Sequence, residues 1–329
     1  MTPLKLTLAC WNYDRTRALA EARIRPDGID LTYLTLPVEE TFFRMVRHRE
    51  FDAAELSLSS YVLSLFHADP PFVAIPVFPS RSFRHSCIYV HADAAIRTPK
   101  DLINKRVGSP EFQLTACVWI RGLLADDHGV PVDSVTYVVG GQEEPGRPEK
   151  LRLDLPPSIR IERIGPDATL AAMLERGGID ALYTPRMPST FRTGGRVRRL
   201  FADYPDVERE YFRRTAIFPI MHVIAIRRDL YERQRWIAQS LQKAFTAAQR
   251  ETYADLAETA ALKAMLPWLT AHVEDTRREM GDDYWPYGLD RNRRTLDTFL
   301  RYSHEQGLAR RRLTADELFA PEALESFRI

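Results

Sequence analysis

The chain has 329 residues, 45% hydrophobic and 28% charged, a globular composition too long for one core, so about two domains are expected. Its 46 basic and 45 acidic residues leave a net charge of +1, which excludes binding to nucleic acid or an anionic membrane through overall charge. No run of 18 apolar residues occurs, which excludes an apolar membrane-spanning helix.

The first residues, Met1 to Cys10, followed at once by Asn12, Asp14 and Arg15, do not form a signal-peptide pattern, so a cytoplasmic protein is expected. Cys10, Cys87 and Cys117 are far apart in apolar stretches, as small buried hydrophobes in a reducing compartment are. Strands are expected at Leu4–Cys10, Ile29–Leu34, Phe51–Ser57, Phe72–Phe78 and Cys87–Val90. Helical spacing covers Arg15–Ala22, Glu39–Arg47 and Ser59–Phe66. This alternation implies a largely parallel sheet.

A second α/β set follows. It comprises strands at Arg106–Ser109, Val135–Val139, Ile159–Ile164 and Ile179–Tyr183, with helices over Phe112–His128 and Ala168–Arg176. Gly140–Pro157 is rich in Gly, Pro and charge and is expected to be an exposed loop or flap. A strand at Ile220–Arg227 then leads into helical patterns at Leu230–Leu256, Ala260–Leu269, Thr270–Met280, Arg291–Glu305 and Ala315–Phe319. An inserted α/β unit and a return strand predict a discontinuous first lobe, 1–92 plus 216–329, and an inserted second lobe, 93–215.

In open α/β sheets the ligand lies beyond the carboxyl ends of the strands, so the residues there are the candidates. Trp11 to Arg15 sets two aromatics beside an amide and opposite charges; Asn12 or Asp14 also suits a helix cap. Glu55 has apolar neighbours and needs a partner if buried. Arg81, Arg84 and His85 lie between two apolar strands, where the arginines suit a carboxylate and solvated surface charge is the alternative. Gly108 to Thr115 leads into a helix start of small residues, including Ser109 and Thr115, of a kind that suits an anion. Arg186 follows the strand at Ile179–Tyr183, and His222 begins the return strand, as a cleft residue or a core histidine. Tyr284-Trp285-Pro286-Tyr287-Gly288 packs the tail or walls the cleft. The eight histidines show no metal-ligand spacing, so no metal is expected. No GxSxG, GxGxxG or Walker motif is present.

Six stretches together resemble the family of 4,5-dihydroxyphthalate decarboxylases. They are Tyr13 to Leu19, Leu36 to Arg44, Glu55 to Tyr61, Phe78 to Arg81, Phe83 to Ser86 and Trp285 to Gly288. One departure is Trp11-Asn12 before Tyr13, where Gly-Asp or similar is expected, a pair placed to change which aromatic acid fits. The family in turn resembles type II periplasmic binding proteins. The resemblance thus implies an α/β, two-lobed fold of that type with a helical C-terminal tail.

It also implies a carboxy-lyase that works without a cofactor, converting 4,5-dihydroxyphthalate to 3,4-dihydroxybenzoate and CO₂. On this view Arg81 and Arg84, with the helix start at Ser109–Thr115, bind the carboxylates. His85 or His222 handles the proton, Glu55 or Asp14 orients that histidine, and Trp11 and Tyr13 stack on the ring. Arg186 is a further substrate contact. The expected partner is a small aromatic dicarboxylate, with no nucleic acid and no membrane; the helical tail leaves room for a homo-oligomer. The alternative is a cytoplasmic solute-binding or sensor protein of the same fold, without turnover. A pyrimidine-forming synthase of this fold is disfavoured, because its cysteine-rich signature is not evident.

Overall fold

The computed structural model describes residues 2–147, 149–192 and 195–324. The chain begins with β1 (Leu4–Ala9), α1 (Asp14–Ala20), β2 (Ile29–Leu34), α2 (Val38–His48), β3 (Ala53–Ser57), α3 (Leu58–Ser64) and β4 (Phe72–Ile75). It continues through β5 (Ile88–His91), β6 (Arg106–Ser109), α4 (Thr115–His128), β7 (Thr136–Val139), β8 (Arg160–Arg163), α5 (Leu170–Glu175), β9 (Ala181–Tyr183), α6 (Ser189–Arg192), β10 (Val197–Arg199) and α7 (Tyr204–Thr215). Then come β11 (His222–Arg227), α8 (Arg228–Arg233), α9 (Trp236–Ala257), α10 (Leu269–Met280) and α11 (Arg293–Glu305).

Two compact units emerge, each with its own sheet. Unit one comprises residues 1–81, 220–297 and 313–329; unit two comprises 82–219 and 298–312. The sheet of unit one has the order β2-β1-β3-β11-β4. Its first three strands are parallel, and β11 enters antiparallel between β3 and β4. A strand flanked on both sides and covered on both faces must be apolar or small throughout. Accordingly β3, Ala-Ala-Glu-Leu-Ser, is buried at every position, its glutamate included. Leu6 and Leu8 of β1 face a core shared with Ile224 and Ile226 of β11 and with Ile237, Leu241 and Phe245 of α9. The α9 residues recur at helical spacing, which is why this long helix lies along the sheet and packs on α1.

Unit two has the sheet order β10-β5-β9-β6-β7-β8. Residues 82–92, expected in the first lobe, belong here because β5 pairs with both β9 and β10. Residues 298–312 also belong here rather than to the first lobe. Trp119 of α4 packs on Phe299 at 5.5 Å and on Tyr302 at 5.6 Å between ring centres. Buried Arg121 donates from Nε to Gln306 Oε1 at 2.8 Å. Gly122 faces the Tyr302 ring so closely that any Cβ there would overlap it.

Three other differences from the sequence pattern have local causes. Of the helix expected over Ala260–Leu269 only Leu269 is helical, as the first residue of α10; the rest is bends and a turn. Leu262, Met265, Leu266 and Trp268 are all exposed, so no core rewards a helix there, and Pro267 interrupts the backbone ladder. The helix expected over Leu230–Leu256 is broken at Gln234, which leaves helical geometry between α8 and α9. Gly140–Pro157 is exposed only in part: Gly140, Gly141 and Gln142 are buried, and Arg147 and Lys150 are ion-paired to Glu111. No helix among the described residues is long and apolar enough to cross a membrane.

Candidate functional site

The register of unit one assembles a charged pair at the end of its sheet. His222 lies opposite Ser57, and Ile224 lies opposite Glu55. Directly opposed residues share a sheet face, so Glu55 and His222 are diagonal neighbours on the same face, within side-chain reach. Their contact is direct: His222 Nδ1 is 2.6 Å from Glu55 Oε1.

Three more donors converge on this fully buried carboxylate. Tyr13 Oη donates to Oε1 at 2.6 Å, the Trp11 backbone N–H donates to Oε2 at 3.0 Å, and the Cys10 thiol approaches Oε2 at 3.6 Å. Burial alone would push the Glu55 carboxyl up. The charge of His222 and its hydrogen bond, joined by those from Tyr13 and Trp11, outweigh it and hold Glu55 below the ordinary carboxylate range. Burial, then the charge and hydrogen bond of Glu55, push the Tyr13 hydroxyl up, so it stays a donor. Tyr33 Oη donates to the Trp11 carbonyl at 3.0 Å and fixes the turn that delivers the Trp11 N–H.

An ionised carboxylate only accepts hydrogen bonds, so the Nδ1 of His222 carries hydrogen and its Nε2 is left for chemistry. The ring is oriented further by Phe42, edge-on at 4.8 Å. The histidine side chain is 17% exposed and the glutamate is fully buried. Solvent therefore exchanges protons with the imidazole while the carboxylate remains dry. Such a pair can hold a proton at Nε2, deliver it and recover it.

The other candidates fall out as follows. Trp11 exposes its indole, while Tyr13 turns its hydroxyl inward to Glu55. Asp14 stands in the first turn of α1, half in water, and accepts from Arg15 Nη1 at 2.9 Å. Arg81 is buried, donates through Nη2 to the Pro286 carbonyl at 2.7 Å and to Asn292 Oδ1, and so fastens the 286–292 turn.

In unit two, Arg84 is buried with Nη1 at 3.5 Å from Cys87 Sγ. Ser109 is buried and donates to the Glu111 carbonyl at 2.9 Å, and Thr115 opens α4. Arg186 is exposed; its carbonyl accepts from Gln142 at 3.3 Å. His85 packs between Phe201 and Tyr211 beside His128, the last residue of α4. It borders a pocket of about 590 Å³. The helix rises about 1.5 Å per residue, so His85 sits near the opposite end of α4 from Thr115. It therefore does not join Ser109 and Thr115, and burial pushes it down to about 4, which keeps it neutral.

The sequence reading missed Phe42, although the alternating apolar face of α2 was visible. It also missed Glu111, which is fully buried and paired with Arg147 at 2.6 Å and Lys150 at 2.5 Å. No spacing rule links residue 111 to cations 36 and 39 positions later. Beside it, Glu149 Oε1 accepts from the Phe112 N–H at 2.5 Å. Burial, then the charge of Glu111, push Glu149 up to about 7. Among the described residues no three His, Cys, Asp or Glu side chains converge on a metal-sized site.

The fold recurs in solved structures. The periplasmic aliphatic sulphonate binding protein SsuA from Escherichia coli aligns with a TM-score of 0.56 at 15% identity, over 98% of this chain and 99% of that one. The alkanesulfonate-binding protein SsuA from Xanthomonas axonopodis pv. citri, bound to MOPS, aligns with a TM-score of 0.53 at 13% identity, over 97% and 99%. The fold is thus the two-lobed α/β fold of periplasmic binding proteins. No family model matches the chain. A 4,5-dihydroxyphthalate decarboxylase from Comamonas testosteroni is 41% identical over 330 residues, 100% of each chain. One from Pseudomonas putida is 43% identical over 214 residues, 65% of this chain and 83% of that one. The chain belongs to the 4,5-dihydroxyphthalate decarboxylase family.

Proposed function

We propose that the protein is a carboxy-lyase that converts 4,5-dihydroxyphthalate to 3,4-dihydroxybenzoate and CO₂, without a cofactor. The observation that carries the chemistry is the buried Glu55 carboxylate held 2.6 Å from His222 Nδ1. The named relatives supply the substrate.

The substrate itself stores the electrons that the reaction needs. Each carboxylate has a hydroxyl para to it. Loss of the hydroxyl proton pushes charge onto the carbon that bears the carboxylate. His222 Nε2 protonates that carbon, giving a cyclohexadienone. The bond to the carboxylate then breaks, CO₂ leaves, and the bonding pair restores the ring as a phenolate that takes back one proton. One proton is consumed overall. Glu55 orients the imidazole and compensates its charge while Nε2 carries the proton, the role a carboxylate plays beside a catalytic histidine. Positioned proton transfer of this kind contributes about 10²–10⁴-fold. His222 takes this role rather than His85, which is buried and neutral. The free, buried state of Cys10, Cys87 and Cys117 supports a reducing, cytoplasmic setting.

The fold shared with solute-binding proteins favours one competing reading, a sensor that binds the acid without turnover. Incubation with 4,5-dihydroxyphthalate in D₂O separates them. The decarboxylase releases CO₂ and places one deuterium on the ring carbon that lost its carboxylate; plain phthalate, which has no para hydroxyl, does not react. Binding of 4,5-dihydroxyphthalate with no CO₂ over long incubation leaves the sensor. Equal reaction of plain phthalate would reject the mechanism.

A further inference from the structure

The geometry points to Arg15 as the residue that grips the carboxylate the substrate keeps, an assignment that rests on the decarboxylase reading above. The sequence pattern offers Arg15 only as one charge of the Trp11–Arg15 turn, in the first turn of a short helix beside an acid that pairs with it.

Three observations set it apart from a surface arginine. Its guanidinium lies over two aromatic rings, 4.2 Å from the centre of Tyr13 and 4.1 Å from that of Trp285. Its Nε is pinned by the Pro79 carbonyl at 2.6 Å. Its side chain is only 15% exposed, whereas Asp14, its anionic partner, is 47% exposed. A pair opened to water on the acid side is worth little, so Asp14 does not saturate this cation. Nη2 has no hydrogen-bond partner among the described residues, and Nη1 donates only to Asp14.

The aromatic shelves and the pinned Nε fix the plane of the fork before any ligand arrives. Fixing that plane lowers the ordering cost of a two-toothed carboxylate contact. The Tyr13 ring beneath the guanidinium is the ring whose hydroxyl donates to Glu55. One aromatic side chain therefore separates the cation from the Glu55–His222 pair.

The choice between the two substrate carboxylates follows from charge. The leaving carboxylate becomes neutral CO₂, and a cation paired with it stabilises the ground state and slows its loss. The retained carboxylate stays charged throughout, so holding it lowers KM and leaves kcat nearly untouched. Arg15 is thus a binding residue, and its loss is read in affinity.

The test compares binding of the product, 3,4-dihydroxybenzoate, and of catechol, which lacks the carboxylate, by titration calorimetry, alongside CO₂ release. Arg15→Met is expected to weaken the product by ~30-fold or more, the scale for loss of one partner of a charged pair, and to leave catechol unchanged. If Arg15→Met is poorly folded, Arg15→Lys serves: it keeps the charge and stem, loses the fork, and is expected to weaken the product less, with catechol again unchanged. Unchanged product affinity in both variants overturns the assignment. Equal loss of product and catechol also overturns it, leaving a strut for the Pro79 turn. CO₂ release by wild type, with product affinity untouched by both variants, rejects Arg15 alone. A product-selective loss in a wild type that releases no CO₂ keeps Arg15 and rejects the decarboxylase.

Discussion

Two glutamates, one in each unit, are fully buried, and their surroundings differ in kind. Glu111 of unit two faces a guanidinium and an ammonium, those of Arg147 and Lys150. Glu55 of unit one faces the neutral Tyr13 hydroxyl and Trp11 N–H and one imidazole, that of His222. A buried acid ion-paired with Arg147 and Lys150 anchors the segment that carries them. A buried acid hydrogen-bonded to an imidazole that reaches solvent can take part in proton transfer. Burial by itself, therefore, does not mark a site; the chemistry and solvent access of the partner do.

The sharpest way to break this comparison is to neutralise each acid in turn. Glu55→Gln is expected to lower CO₂ release about 10²–10⁴-fold, with the protein still folded, because a carboxamide fills the same space. Wild-type turnover in this variant would remove the pair from the chemistry. Glu111→Gln is expected to act on stability instead. Stranding two partly buried cations costs about 3–5 kcal/mol, read as a lower denaturation midpoint, while the kcat of the folded fraction stays near wild type. The reverse pattern, with a large stability loss at Glu55 and a rate loss at Glu111, would invert the assignment.

Much of unit one's contribution was legible. The run Ala-Ala-Glu-Leu-Ser announces a buried strand carrying an acid that needs a partner, and His222 stands out in an apolar run. Their pairing was not legible, because it depends on β11 entering antiparallel between β3 and β4. Their 167-residue separation becomes a diagonal contact only through the His222–Ser57 register. For the same reason the turn alone left Asp14 and Glu55 as equals. Asp14 stands at a helix start in water, and Glu55 is enclosed. The pairing of Arg147 and Lys150 with Glu111 was not legible because Gly, Pro and charge mark exposed turns and ion-paired segments alike. The 298–312 return to unit two was hidden by helical spacing, which shows a face but not its partner.

A smaller effect sharpens the account of Glu55. Tyr13→Phe removes one donor of four and is expected to lower kcat by ~10-fold, the scale of a hydrogen bond to a charged group. An unchanged rate would assign Tyr13 to packing alone.

The smallest expected effect concerns pH and unit two. Glu149 is pushed up to about 7 in the folded state, whereas an unfolded glutamate titrates near 4.3. Between these values the folded chain holds the extra proton, so stability falls as pH rises from about 4.3 to 7 and levels off above. Glu149→Gln removes this slope and is expected to raise stability by about 1–3 kcal/mol at pH 8, with little change near pH 4.5. Denaturant midpoints across that range measure it; equal gains at both ends would show that the effect is not protonation.

The most direct measurement is on His222→Asn at saturating 4,5-dihydroxyphthalate, with binding and CO₂ release followed on the same sample. The Glu55–His222 account predicts substrate bound with near-normal affinity and CO₂ release reduced at least ~100-fold. CO₂ release at the wild-type rate from the bound complex would contradict it.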